Sequence, residues 1–534
     1  MMNNKAAMWI FVALFAVLMS IPWLVPHTGW LALVGFLPLL LADDLADHLK
    51  IRRFWIYHYS AFVLWNALTT FWVWNATAGG AIFAILANAL QMSLIWGIFR
   101  FSKKRLDGVL PYLFLAVMWI AWERAYFSAQ ISWPWLTLGN AFARTTHAVQ
   151  WYSVTGSLGG SLWIWAVNLG LFGMLSALSE GRWNLWNKVA RCVSVLSLAL
   201  VAIAPAVVSL VMYSSYEERS EAGMNVLIGQ PNFDPYEKFT SMKQAEQTAV
   251  LLDVFEESID PSVDLLLAPE TFTGDIFLDH AGNSPTVLSF KDFLSSHEGA
   301  SLIFGASTYD VFYQHSSPDI LARPYGEATW LESHNSAVAM DSQGVGDIYH
   351  KSKLVVGTEL TPYPKLFVPL DNWLGKMLGT GGLMGRCIGQ DGVSLLDVKG
   401  TPVGCAVCYE SVYGEYCTGY VRKGAKLMTV ITNDAWWGNT PGYKQHLSYS
   451  RLRAIELRRD IARCGNTGIS AIIDQKGDIV SSTPWWTRTS LKGEVNLNSE
   501  ETFFVRNGDI PGRICTLAFL LLAALLLVRI FTRK

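Results

Sequence analysis

Long apolar runs constrain this chain more than any other feature of its sequence. They fill the first 213 residues and return once near the C-terminus, at about 8–25, 29–42, 54–73, 81–99, 110–122, 160–178, 192–213 and 514–528. A helix needs about 20 apolar residues to cross the hydrocarbon core of a bilayer. Several runs reach that length and the shorter ones can use their flanks, so the pattern predicts eight membrane-spanning helices.

The basic residues predict the orientation of these helices, because Lys and Arg concentrate in cytoplasmic loops. With a cytoplasmic N-terminus, the inside segments carry most of the basic residues of the membrane part: Lys5, Lys50, Arg52, Arg53, Arg100, Lys103, Lys104, Arg105, Arg182, Lys188, Arg191, Arg529, Arg533 and Lys534. The outside connections 26–28 and 74–80 carry none, and 123–159 carries two. Both termini are therefore expected in the cytoplasm, and residues 214–510 outside, in the periplasm of a Gram-negative cell.

The block between the last two apolar runs has the texture of a separate α/β domain. Short apolar runs predict strands at 225–228, 265–268, 301–306, 335–340, 403–407, 427–432 and 470–474, and amphipathic stretches predict helices at 241–258 and 446–461. Strands that alternate with helices indicate a layered α/β fold. We therefore expect three parts: a bundle of about seven transmembrane helices at 1–213, a catalytic domain at 214–510, and a last transmembrane helix with a cytoplasmic tail at 511–534.

Three residues of this block can supply the chemistry of a thiol enzyme. Glu270 follows the apolar run at 265–268, Lys351 follows a Tyr-His pair, and Cys408 closes the run that begins at Val403. A thiol becomes a nucleophile when a base or a positive charge lies beside it. Glu270 can accept the thiol proton if burial raises its pKa toward the working pH, and Lys351 can stabilise an oxyanion. An inert buried cysteine would fit the same apolar surroundings.

Other uses of the cysteines and charges are less consistent with the sequence. Cys405 and Cys408 form a C-x-x-C pair, but a redox pair of this kind normally begins a helix, whereas these residues continue a strand. Residues three apart in a strand face opposite sides, so the two thiols are expected to diverge. Seven cysteines do not suggest a disulfide framework, and a net charge of -2 does not indicate a nucleic-acid partner.

Four stretches resemble the carbon–nitrogen hydrolase (nitrilase) superfamily and, within it, the bacterial apolipoprotein N-acyltransferases. They are Leu-Ala-Pro-Glu270, Tyr-His-Lys351 with Gly-Thr-Glu359, Cys408-Tyr409-Glu410, and Asn433 to Gly438 with Gln445-His446 and Arg453 to Glu456. Gln230-Pro231-Asn232 resembles the start of the catalytic domain in that family. The resemblance implies a polytopic α-helical membrane bundle plus an extramembrane nitrilase-like domain with an α-β-β-α sandwich.

The resemblance also implies roles for individual residues. Glu270 would be the base, Lys351 the oxyanion stabiliser and Cys408 the nucleophile of a Glu-Lys-Cys triad, with Glu359 and Glu410 as supporting carboxylates. The aromatic side chains of Phe239, Trp436 and Trp437 would bind substrate. The backbone N–H of Tyr409 would complete the oxyanion hole. Lys353 departs from the family pattern and places a second ammonium group two residues beyond the first. The Gly-rich segment 379–385 corresponds to a mobile lid of the family.

The implied activity is an acyl transfer at the membrane surface. A fatty acyl group would pass from a membrane phospholipid, through a thioester on the cysteine, to the N-terminal amine of an S-diacylglyceryl-cysteine apolipoprotein, in the last step of lipoprotein maturation. No metal or soluble cofactor is required, and a monomer is expected. The residues leave a membrane-anchored amidase open as an alternative, since it would use the same triad to hydrolyse a C–N bond. A transporter is less favoured because the runs contain few ionisable residues, and a non-catalytic assembly module would not need the triad.

Overall fold

A computed structural model describes residues 4–380 and 382–532, apart from the side chains of Asn4 and Phe239. The N-terminal part is helical throughout. Its helices are α1 (Asn4–Leu24), α2 (Ala32–Gly35), α3 (Leu37–His48), α4 (Trp55–Thr70), α5 (Val73–Ala76), α6 (Ala78–Ser102), α7 (Leu110–Tyr126), α8 (Tyr152–Thr155), α9 (Ser157–Ser179), α10 (Arg182–Leu185) and α11 (Lys188–Ser215). Side chains cap two of the long helices, α6 and α11: Thr77 accepts from Gly80 N, and Asn187 accepts from Ala190 N.

All eight apolar runs form helices, and these differ in whether they are long enough to cross a membrane. Within the described residues, six segments are long and apolar enough to cross a membrane: 5–24, 29–48, 78–102, 157–179, 188–215 and 510–532. The runs at 54–73 and 110–122 form the shorter helices α4 and α7, of 16 and 17 residues. Helix α4 packs against α1 and α6, and α7 packs against α6 and the C-terminal helix. Eight crossings therefore remain a prediction, whereas the helices themselves are present.

The second part is an α/β sandwich followed by the C-terminal helix. Its helices are α12 (Pro235–Thr240), α13 (Gln244–Glu256), α14 (Pro285–Ser296), α15 (Pro364–Leu378), α16 (Gly414–Arg422), α17 (Pro441–Leu457), α18 (Phe503–Asn507) and α19 (Ile510–Thr532). Its strands are β1 (Ala222–Gln230), β2 (Leu265–Leu267), β3 (Thr273–Phe277), β4 (Ser301–Tyr313), β5 (Arg323–Gly326), β6 (Thr329–Asp341), β7 (Gly344–His350), β8 (Leu395–Val398), β9 (Thr401–Val407), β10 (Leu427–Thr432), β11 (Ile461–Gly465), β12 (Ala471–Ile473), β13 (Ile479–Ser482) and β14 (Thr489–Leu497).

The strands form two sheets that pack face to face. One sheet has the order β14-β1-β2-β4-β6-β5, with β3 beside β4 and β7 beside β6, and the other runs β13-β12-β11-β10-β9-β8. Alternation along the strands sets the layers: Val226 and Ile228 join the core between the sheets, while Leu227 faces the layer of α13 and α14. Helices α16 and α17 lie against the second sheet. This arrangement confirms the predicted α-β-β-α sandwich beside a helical bundle.

Both boundaries of one predicted helix are wrong. The sequence suggested a helix over 446–461, but α17 begins at Pro441 and ends at Leu457, after which Arg458 adopts a left-handed φ of 49°. Residues Ile461–Gly465 instead form β11, which pairs in parallel with β10. The apolar spacing continues through this boundary, and it is the available edge of β10 that turns the segment into a strand.

Helix α17 joins the sandwich to the membrane bundle. Gln445 Oε1 accepts hydrogen bonds from the indole Nε1 of Trp72 at 3.3 Å and of Trp135 at 2.7 Å. Gln445 Nε2 donates to the carbonyl of Thr69 at 3.1 Å. The hydroxyl of Tyr449 donates to the carbonyl of Trp135 at 2.7 Å and accepts from Trp23 Nε1 at 3.1 Å. The sandwich therefore packs directly on the helices of the bundle, without an intervening linker at this contact.

Candidate active site

The three residues predicted to act together follow the ends of three strands. Glu270 comes shortly after β2, Lys351 directly after β7, and Cys408 directly after β9. The Lys351 ammonium lies 3.0 Å from Glu270 Oε1. The Cys408 thiol is close enough to Glu270 and Lys351 that both charges shift its pKa. The fold thus brings together residues that follow strands of both sheets, and their joint action as a triad stays a prediction.

The lysine is held as a cation by two carboxylates. Its side chain is 0% exposed, and Nζ lies 2.9 Å from Glu359 Oε1 as well as 3.0 Å from Glu270. Burial by itself would lower the pKa of Lys351, but the two carboxylates raise it well above its usual value. Burial would likewise raise the pKa of Glu270, yet the adjacent ammonium group holds it below its usual value. Both groups are therefore charged near neutral pH.

The thiol is mainly protonated in the resting site. Burial, and then the Glu270 carboxylate, raise the pKa of Cys408 well above the usual value for a thiol. Nucleophilic attack consequently needs a base at the moment of reaction, and Glu270 is the carboxylate beside it. Cys408 also adopts a φ of 52°, a left-handed conformation that L-residues rarely occupy and that is frequent at active sites.

Asn335 is part of this site, although the sequence pattern predicts it only as the start of a strand. Its Nδ2 donates to Glu270 Oε1 at 2.8 Å and to Glu359 Oε1 at 2.7 Å, and its carbonyl accepts from Lys351 N at 2.7 Å. One signal could have identified it. Alternation along β6 places Asn335 on the same face as Ala337 and Ala339, which lie in the apolar core between the sheets. A polar residue on such a face requires partners.

Glu410 links two segments that carry reacting groups. Its Oε1 accepts from the Tyr349 hydroxyl at 2.6 Å and from Ser352 N at 2.8 Å, in the loop that holds Lys351. Its Oε2 accepts from Val407 N at 2.9 Å, beside Cys408. Burial raises the pKa of Glu410, and the hydrogen bonds of Tyr349 and the backbone oppose this change. These contacts fit the supporting role expected from the sequence.

The side chain of Lys353, the second lysine of this segment, points away from the carboxylates that hold Lys351. Lys353 Nζ lies over the rings of Tyr413 and Tyr416, 5.5 and 5.4 Å from their centroids. An aromatic pair of this kind stabilises a cation through the ring faces. Lys351, rather than Lys353, therefore occupies the position between the carboxylates.

Two of the predicted aromatic residues, Tyr409 and Trp437, lie where the sandwich meets the bundle. The Tyr409 hydroxyl donates to the carbonyl of Ser132 at 3.0 Å, and the Trp437 ring packs against Trp72 at 4.6 Å between centroids. The Trp436 ring meets Tyr236 edge to face at 5.6 Å. The prediction for Phe239 concerns a side chain outside the described residues. Substrate binding by these aromatics stays a prediction.

Comparison with known sequences identifies the family. Residues 209–503 match the family model described as carbon-nitrogen hydrolase. The chain belongs to the carbon–nitrogen hydrolase family. Residues 7–170 match a second model, the apolipoprotein N-acyltransferase N-terminal domain. Together with the long apolar helices, this match makes the chain an integral membrane member of the carbon–nitrogen hydrolase family.

Several relatives are similar along nearly their whole length. An apolipoprotein N-acyltransferase of Chlorobaculum tepidum is 27% identical over 502 residues, which cover 92% of this chain and 91% of the relative. One of Geobacter metallireducens is 27% identical over 532 residues, 97% of this chain and 95% of the relative. Among solved structures, Saccharomyces cerevisiae Nit3 of the nitrilase superfamily aligns at 14% identity over 56% of this chain and 97% of its own, with a TM-score of 0.36. This last likeness is too weak to add to the family assignment.

Replacing each lysine separately tests which one serves the site. Lys351→Met should reduce the rate of Cys408 acylation by a p-nitrophenyl ester roughly 10²–10³-fold, the typical cost of losing an oxyanion partner. It should also destabilise the domain by about 3–5 kcal/mol, because two buried carboxylates lose their counter-ion. Nitrophenol release and thermal unfolding measure the two effects. Lys353→Met is the matched control, and an equal loss of acylation in both variants would contradict the assignment.

A second prediction concerns the pH dependence of the thiol. The rate of Cys408 alkylation by iodoacetamide should rise with pH, with a midpoint above that of an ordinary thiol, because the pKa of Cys408 is raised. Glu270→Gln removes a negative charge that opposes the thiolate, so the midpoint should move to lower pH while ester acylation falls. Glu256→Gln, on the exposed side of α13, is the control. An unchanged midpoint in Glu270→Gln would show that the carboxylate does not act on the thiol.

Proposed function

We propose that the protein transfers a fatty acyl group from a membrane phospholipid to the N-terminal amine of an S-diacylglyceryl-cysteine apolipoprotein. The main support is the combination of a charged Glu-Lys-Cys site with a helical bundle on which it directly packs. The N-terminal match to the apolipoprotein N-acyltransferase domain favours this reaction over that of a soluble amidase. Relatives with that name cover more than nine tenths of the chain.

The first step forms a thioester. Cys408 attacks the ester carbonyl of the phospholipid while Glu270 takes the thiol proton. The negative oxygen of the tetrahedral intermediate is stabilised by the Lys351 ammonium and by the backbone N–H of Tyr409. When the intermediate collapses, the C–O bond breaks and Glu270 returns the proton to the leaving lysophospholipid.

The second step transfers the acyl group to nitrogen. The lipoprotein amine attacks the thioester carbonyl, the same groups stabilise the oxyanion, and Glu270 accepts the proton of the attacking amine. The C–S bond then breaks, and Glu270 returns that proton to the departing sulfur, which restores the thiol and the carboxylate. Glu359 and Asn335 keep Lys351 and Glu270 in place throughout. Since the two substrates react in turn with one residue, ping-pong kinetics are expected.

The proposed location follows from the substrates and the positive-inside pattern. Both lipids diffuse in the outer leaflet of the inner membrane, so the domain at 214–510 would face the periplasm and both termini the cytoplasm. Green fluorescent protein fused after residue 534 should fluoresce, because it folds in the cytoplasm. Alkaline phosphatase inserted in the exposed loop at 314–319 should be active, because it folds in the periplasm. The reverse pattern would overturn this orientation.

Mass spectrometry of a lipoprotein N-terminus tests the activity itself. In cells depleted of their own N-acyltransferase, the protein should add a third acyl chain to the amine, whereas Cys408→Ala should abolish it with normal membrane insertion. Cys192→Ala, an exposed cysteine of α11, is the matched control. Persistent acylation in Cys408→Ala would refute the mechanism. Release of free acid and ammonia without an acylated peptide would identify the anchored amidase instead.

A further inference from the structure

A second buried polar network lies behind Cys408. The side chains of Asp434, His446 and Arg463 are each 0% exposed. Asp434 Oδ1 lies 2.8 Å from His446 Nδ1, and Asp434 Oδ2 accepts from Arg463 Nη2 at 2.6 Å. The three residues come from different elements: the loop after β10, helix α17 and strand β11. Burying such groups is costly, and mutual pairing offsets that cost.

The histidine of this network contacts the backbone of the nucleophile. His446 Nε2 lies 3.0 Å from the carbonyl oxygen of Cys408. A carbonyl oxygen can only accept, so Nε2 carries the proton and donates it. On the other side of the ring, Nδ1 faces the Asp434 carboxylate, which also accepts. Nδ1 also lies 3.2 Å from Arg463 Nη2. The Ser411 hydroxyl donates to the Cys408 carbonyl at 2.8 Å, and its oxygen lies 3.0 Å from His446 Nε2.

This carbonyl belongs to the peptide group that carries the proposed oxyanion donor. The peptide bond between Cys408 and Tyr409 is trans, as are all the peptide bonds of the described residues. In a trans peptide the C=O and the N–H point in opposite directions. With its C=O held by His446 and Ser411, the group must direct the Tyr409 N–H away from them. The same hydrogen bonds restrain the left-handed conformation of Cys408.

We propose that His446 is a positioning residue that orients and polarises the peptide group between Cys408 and Tyr409. Hydrogen bonds in a chain strengthen one another, so donors on the C=O make the N–H at the other end of the peptide group a better donor. Asp434 fixes the ring and Arg463 fixes Asp434. This inference rests on the acyl chemistry of the proposed function, because only a reaction that forms an oxyanion uses that N–H.

Two reactions of the same thiol separate this role from a merely structural one. Acylation by a p-nitrophenyl ester passes through an oxyanion, whereas alkylation by iodoacetamide does not. In both reactions the Cys408 sulfur must lose its proton, so the ratio of their rates cancels a change in the acidity of the thiol. His446→Gln can place an amide N–H near the Nε2 position, while His446→Asn places its amide near Nδ1 and cannot reach the carbonyl.

The acylation-to-alkylation ratio should fall roughly 10–100-fold in His446→Asn, somewhat less than the 10²–10³-fold typical of losing a donor outright. His446→Gln should recover much of that loss, and KM for the ester should stay unchanged in both variants. Ser411→Ala removes the other donor to the same carbonyl and should lower the ratio on its own. His297→Gln, at the far end of α14, is the matched control and should leave the ratio unchanged.

Thermal unfolding in detergent identifies the variants that fold. If His446→Asn does not fold, Ser411→Ala still tests the proposal. The proposal is overturned if both rates fall in parallel, or if the ratio in Ser411→Ala and the folded His446 variants equals that of the wild type. Neither assay contains a lipoprotein. A failure of lipoprotein acylation would therefore reject the proposed function without deciding the role of His446. An unchanged acylation-to-alkylation ratio would reject the role of His446 without deciding the proposed function.

Discussion

The buried ammonium group of Lys351 is the constraint around which the site is built. Removing such a charge from water costs several kcal/mol unless carboxylates and hydrogen bonds replace the solvent. Glu270 and Glu359 supply the charge, and Asn335 holds the two carboxylates at the same time. Because these partners come from separate strands and loops, the cation is compensated only when the first sheet is complete. The chemistry of the site and the stability of the domain therefore depend on the same contacts.

The nucleophile is supported on two sides by different anions. Glu410 binds Val407 N, just before Cys408, and ties it to the loop of Lys351. Asp434 acts from the other side, through His446 and the carbonyl of Cys408. Strained backbone at an active site persists only when the surroundings restrain it strongly. The left-handed φ of Cys408 is consistent with that rule, since buried side chains hold the N–H of the preceding residue and the carbonyl of Cys408 itself.

Helix α17 connects this support to the membrane bundle. His446 reaches Cys408, while its neighbour Gln445 accepts hydrogen bonds from two indoles of the bundle. The Trp135 ring also lies 5.8 Å from the His446 ring. The bundle therefore anchors the catalytic domain and also borders the network behind the thiol. The proposed acyl transfer between two membrane-held substrates requires this closeness between membrane and nucleophile.

The sequence by itself determined the helices of the bundle, the main strands of the sandwich and the order Glu270, Lys351 and Cys408. Those features are local, because hydrophobic periodicity and strand-end residues are visible within short windows. Tertiary structure alone decided that Asn335 bridges two carboxylates, that Lys353 faces tyrosine rings, and that residues 461–465 form a strand. Asn335 and Glu270 are 65 residues apart in sequence, and His446 and Cys408 are 38. Contacts over such separations depend on sheet register and on the packing of α17, and no local pattern in the chain encodes either.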